Sequence, residues 1–143
     1  MNVERMLGQK GRDTLTVSSG ALIADAIKLL KAHDVGALVV SDDGRKLLGI
    51  LSERDIVSGL ADRGGDLLTT AVRDMMTSDV VTCEPDWSGR EVMAVMTERR
   101  IRHLPVMKDG ELYGIVSIGD AVKTRLDEIL HEAETLREYI VTA

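Results

Sequence analysis

Two short stretches place a serine three residues before an aspartate: Ser52-Glu-Arg-Asp55 and Ser117-Ile-Gly-Asp120. At a helix start this spacing makes a capping box, which needs no ligand. The same geometry also suits an anion. A helix N-terminus offers unpaired N–H groups and a partial positive charge to a phosphate. The serine hydroxyl adds a donor. An ionised aspartate only accepts, so it would avoid phosphate and take hydrogen bonds from a ribose diol instead. Gly119, after Ile118, leaves room for close backbone approach. Glu53 and Arg54 crowd and charge the equivalent place in the first stretch. Arg99, Arg100, Arg102 and His103 form the densest basic cluster. Such a cluster can be a solvated helix end or a phosphate site, since arginine donates in parallel pairs and histidine adapts near neutral pH.

Other chemistry is thin. The three histidines and the single Cys83 show no metal-binding spacing. No Ser-His-Asp order or Walker loop points to catalysis, so no enzyme and no required cofactor is expected. The 18 basic and 24 acidic residues leave a net charge of −6, which disfavours nucleic acid as the main partner. One cysteine cannot make an internal disulfide and suits a reducing, cytoplasmic setting. The first residues lack the apolar stretch of a signal peptide, and no run reaches the length of a membrane span. Hydrophobic residues make up 44% of the 143, but aromatics only 2%, so the core must be aliphatic.

The elements that position these residues occur twice. Thr16–Gly44 aligns with Thr82–Gly110 at an offset of 66, and Leu47–Val57 aligns with Leu112–Val122 at 65. In each copy an amphipathic stripe (Ile23, Ala26, Ile27 and Leu30; Val92, Val95 and Met96) predicts a helix. Two apolar runs follow, joined by Asp43-Gly44 or Asp109-Gly110, which reads as a tight hairpin turn. A further helix starts at Ser52 or Ser117. With first strands near Leu15–Val17 and Val80–Cys83, each copy reads β-α-β-β-α. The sequence therefore predicts an α/β (α+β) fold of two repeats, 3–65 and 66–125, packed as a pseudo-two-fold pair. Residues 58–71 read as a helix end and connector, and 126–143 as a C-terminal helix extension with an apolar stripe. Pro105, lacking an N–H, should sit on an edge or irregular strand.

GILSERD at 49–55 and GIVSIGD at 114–120 fit the pattern Gly-apolar-x-Ser/Thr-x-x-Asp. With VRDMMTSDVVTCEPD at 72–86 and RHLPV at 102–106, the chain resembles a tandem CBS (cystathionine-β-synthase-type) domain pair over roughly residues 3–125. It resembles the small type without an attached enzyme or transporter domain. The resemblance implies a Bateman module, a regulatory sensor that commonly forms homodimers. It implies adenosine-containing ligands in up to two clefts between the repeats: AMP foremost, then ADP, ATP, NAD or S-adenosylmethionine. By the same resemblance Val81, Thr82 and Pro105 flank an adenine, with Thr16 the first-copy equivalent of Thr82. Arg102 and His103 enter the strand beside the ligand, where the first copy has Gly36 and Ala37. On the residues themselves, Asp120 and Asp55 would take the sugar and Ser117 and Ser52 the phosphate; Arg54 either helps a phosphate or pairs with Glu53, and Lys10 either reaches a phosphate or is a surface charge. A regulated partner protein is implied but not identified. The alternative is a structural dimerisation or docking module with non-functional clefts.

Overall fold

A computed structural model describes residues 1–142. The chain forms two compact units. Among the described residues, one comprises 13–82 and 107–113, the other 1–12, 83–106 and 114–142.

In the unit built on the first repeat, β1 (Thr16–Val17) pairs in parallel with β2 (Ala37–Val40), which pairs antiparallel with β3 (Gly49–Ser52). Helix α2 (Ile23–His33) joins β1 to β2, and α3 (Glu53–Arg63) follows β3. Strand β2 is buried throughout, which is why it reads as the unbroken apolar run Ala-Leu-Val-Val. Helix α2 turns Ile23, Ala26 and Leu30 inward onto Leu38, Val40 and Leu51. The predicted connector forms a 3₁₀ helix, Gly64–Thr69, that buries Leu67, and a short helix α4 (Val72–Met75) closes the unit.

The second repeat follows this plan with α5 (Gly89–Arg99), β4 (His103–Lys108), β5 (Glu111–Ser117) and α6 (Ile118–Thr142), of which the hairpin end, 107–113, belongs to the first-repeat unit. The internal symmetry extends to single hydrogen bonds. The Glu53 N–H donates to the Gly36 carbonyl at 3.0 Å, and the Ile118 N–H to the Arg102 carbonyl at 2.8 Å. Val17 pairs with Val40 as Cys83 pairs with Val106, both in parallel.

Two expectations need correction. The strand predicted over Val80–Cys83 is only a single bridge at Cys83 among the described residues. Pro105 stands where the first repeat has Val39 and supplies no N–H, so the ladder loses a rung. The turns also differ. Asp109 and Gly110 both have positive φ, 54° and 77°, and close a two-residue hairpin of the type favoured between twisted strands. Asp43-Gly44 instead lies in a longer loop between Val40 and Gly49. There only Gly44 has positive φ. The Asp43 carboxylate accepts from the Arg45 and Lys46 N–H groups, each at 2.8 Å, and this side-chain turn replaces the hairpin.

The lead-in helices are exchanged. Helix α1 (Val3–Lys10) precedes the first repeat but packs in the unit of the second, with Val3, Met6 and Leu7 buried there. Helix α4 precedes the second repeat but packs in the unit of the first. Their donors match at an offset of 69 and the acceptors at 66. The Val3 and Glu4 N–H groups donate to Trp87 and Pro85, and those of Val72 and Arg73 donate to Ala21 and Ser19. No helix among the described residues is long and apolar enough to cross a membrane.

Candidate functional site

The Ser-x-x-Asp pairs sit where a β-strand passes into a helix. In the first-repeat unit Ser52 caps α3: its Oγ accepts from the Asp55 N–H at 3.2 Å, and Asp55 Oδ2 accepts from the Ser52 N–H at 2.9 Å. In the second, Ser117 Oγ accepts from the Asp120 N–H at 3.2 Å, and Asp120 Oδ2 accepts from the Ser117 N–H at 2.8 Å. Both boxes form from the residues that the spacing selects. Both therefore hold an acceptor-only carboxylate beside a helix N-terminus.

The second site has an added cation. Lys10, at the end of α1, donates from Nζ to Asp120 Oδ2 at 2.6 Å and to the Ile115 carbonyl at 3.0 Å. In the first repeat the matching carbonyl, that of Ile50, accepts from the Thr77 N–H at 2.9 Å. Backbone thus fills the place that the lysine ammonium takes in the second. Helix α4 spans four residues and α1 eight, and the extra turn of α1 carries Lys10 to the carboxylate. Burial raises the Asp120 pKa, but the Lys10 ammonium and the Ser117 N–H outweigh it, and the carboxyl is held below its usual value. The group is therefore an ionised acceptor at neutral pH, three-quarters covered, beside a fixed positive charge.

The other candidates lie as follows. In the second-repeat unit the Arg102 carbonyl holds the Ile118 N–H at the head of α6. Half-buried His103 opens β4, and Gly119 is exposed on the first turn of α6. Pro105 is buried, and its carbonyl accepts from the Cys83 N–H at 3.0 Å. In the first-repeat unit Ala37 lies directly across from Ser52, and Thr16 pairs with Val39 one strand further on. Arg54 is exposed on the first turn of α3. Val81 and Thr82 are half-buried and belong to this unit. The structure thus gathers Lys10, Ser117 and Asp120 at one helix head, joined by the backbone to Arg102, and Ala37, Ser52 and Asp55 at the other. Sequence reading missed the Ile115 carbonyl and the pairing of Lys10 with Asp120. No local pattern signals either.

Other reactive groups are quiet. The Cys83 thiol is 1% exposed, and burial, then the neighbouring Glu84 charge, push its pKa up to about 12. No group of three or more His, Cys, Asp or Glu that could hold a metal occurs among the described residues.

The sequence profile of the CBS domain matches residues 11–62 and 72–127. The crystal structure of the CBS-domain containing protein ATU1752 from Agrobacterium tumefaciens matches with a TM-score of 0.84 at 42% identity, covering 87% of this chain and 99% of that one. The CBS domain pair of protein MJ0100, crystallised in complex with 5′-methylthioadenosine and S-adenosyl-L-methionine, matches at 26% identity with a TM-score of 0.78, covering 90% of this chain and 98% of that one. The CBS domain-containing protein CBSX3, mitochondrial, of Arabidopsis thaliana is 39% identical over 122 residues, or 82% of this chain. The chain spans 59% of that relative's length, and 66% and 32% of the lengths of relatives from Acidianus ambivalens and Thermofilum pendens. By profile, by relatives and by fold, this chain belongs to the CBS domain family and carries the domain twice.

Proposed function

We propose that the protein is a regulatory module that binds an adenine nucleotide, AMP foremost, with ADP, ATP and NAD as the alternatives to be ranked. One observation carries this reading: an ionised Asp120 and the Lys10 ammonium lie 2.6 Å apart at the head of α6. A ribose needs an acceptor for its diol, and a phosphate needs a cation and N–H donors. This helix head supplies both. The hydrogen bonds described above fall on Oδ2 of Asp120, which leaves Oδ1 for a sugar hydroxyl. The ligands named for MJ0100 share an adenosine portion and lack a phosphate. They support the sugar contact, and Lys10 is the feature here that favours a phosphate tail. The first-repeat site has an uncharged backbone in that place and is the weaker of the two.

Ligand binding regulates only if it favours one arrangement of the chain over another. On this reading the module acts by such a shift rather than by catalysis. It works as a homodimer in a reducing, cytoplasmic compartment, and an unidentified partner reads the shift. The working division is 3–65, 66–125 and 126–143.

Titration calorimetry with AMP, ADP, ATP, NAD and S-adenosylmethionine tests the proposal. Asp120→Asn should weaken the best ligand at least tenfold, about 1.4 kcal/mol or more, as expected for loss of a hydrogen bond to a charged group. Asp55→Asn should affect only a weaker second site. Absence of heat with every ligand at millimolar concentration overturns the reading. It would then favour the structural alternative, which the exposed apolar stripe of α6 supports.

A further inference from the structure

Helix α6 outruns the fold that begins it. Its inner face, Ala121, Thr124, Arg125 and Glu128, is buried or half-buried, but every described residue from 129 to 142 is exposed. That outer half is 14 residues long, about 21 Å at 1.5 Å per residue. A lone helix of this length is marginal in water.

The apolar residues on the helix are not arranged at random. Val122, Leu126, Ile129, Ala133, Leu136 and Ile140 are separated by four, three, four, three and four residues. This is the heptad spacing of a coiled-coil seam, with Leu126, Ala133 and Ile140 at position a and Val122, Ile129 and Leu136 at position d. The stripe lies beside the inner face, not on it. Its exposure runs from 41% at Val122 to 66% at Ile140.

We propose that α6 pairs with α6 of a second copy of this chain as a parallel, in-register, two-stranded coiled coil. Charge decides the orientation. In the parallel arrangement each Glu132, at position g, faces Arg137 of the other helix, at position e. The symmetry makes this pair twice. Arg125, also at g, lays its apolar stem over the other helix's Leu130, which is 61% exposed in one copy. An antiparallel arrangement with full overlap sets Glu132 against Glu132 and Lys123 against Arg137, all like charges. Sliding that arrangement by one heptad matches Arg125 with Glu132 but leaves Leu136 and Ile140 beyond the seam.

The proposal gives the expected homodimer a definite contact. It rests on nothing at the nucleotide site, so its test is run without nucleotide and fails independently. The full chain should sediment as a dimer at micromolar concentration. Leu136→Glu should weaken association at least 100-fold while the monomer still unfolds cooperatively in urea, since Leu136 lies outside the fold. Leu136→Cys, at a d position, should form an interchain disulfide on mild oxidation. The buried Cys83 stays silent in that experiment. A dimer that survives Leu136→Glu, a failure of Leu136→Cys to crosslink, or a trimer overturns the proposal. So does a monomeric parent chain, which would leave the stripe to a partner of different sequence.

Discussion

At the scale of single residues, Lys10 separates two capping boxes that are built alike. It puts a positive charge 2.6 Å from one capping carboxylate, while the equivalent place beside Asp55 is filled by backbone. Pairing lowers the Asp120 pKa in the folded state, so the pair adds stability above the unfolded carboxylate value, and that stability is lost as pH falls through the folded value. Lys10→Met should therefore reduce stability at neutral pH, and the gap to the parent chain should close in acid. Urea unfolding at pH 7 and near pH 3 checks the sign; a gap that widens in acid would refute it. Carbon-detected NMR titration should also show the Asp120 carboxyl moving up in the variant.

At the scale of elements, the glycine opening each GI-x-S motif is explained by the lead-in segment packed against it, the chain just after α4 at Gly49 and α1 at Gly114. A Cβ at Gly49 would come within 2.6 Å of Met76 Sδ and 2.8 Å of the Thr77 carbonyl oxygen. A Cβ at Gly114 would meet only the end of the Leu7 side chain, at 2.9 Å. Backbone cannot step aside as a leucine methyl can. Gly49→Ala should cost about 1–3 kcal/mol, in the range of overpacking, and Gly114→Ala clearly less. Denaturant midpoints on the two variants decide it, and equal losses would contradict this account. Much at this scale was legible in the sequence. The α2 stripe, the second hairpin and both capping boxes follow from local spacing. What could not be read was non-local. Pro105 announced an irregular strand but not that the strand facing it would shrink to one bridge at Cys83, and Asp43 made its own turn where the same dipeptide closed a hairpin at 109–110. The meeting of Lys10 with Asp120 spans 110 residues, and no local pattern encodes it.

At the scale of the whole molecule, the exchange of α1 and α4 sets how the halves depend on each other. Val3, Met6 and Leu7 are 0–2% exposed, all inside the unit of the second repeat. A chain lacking residues 1–12 should therefore lose hydrogen-exchange protection over α5, β4 and the first turns of α6. The β1–β2–β3 sheet should keep its protection. Loss confined to the first repeat would contradict the exchange. Numbering alone assigns the opening helix to the repeat it precedes, since proximity in sequence is all that a repeat alignment measures.

The crossed helices carry a consequence for how such a chain can be divided. Cut between Thr69 and Thr70, it would yield two fragments, each bearing the cover its sibling lacks and leaving its own glycine strand bare. Neither would be a finished domain in isolation, yet mixed together they could complete each other. The same reciprocity would let two intact chains trade arms.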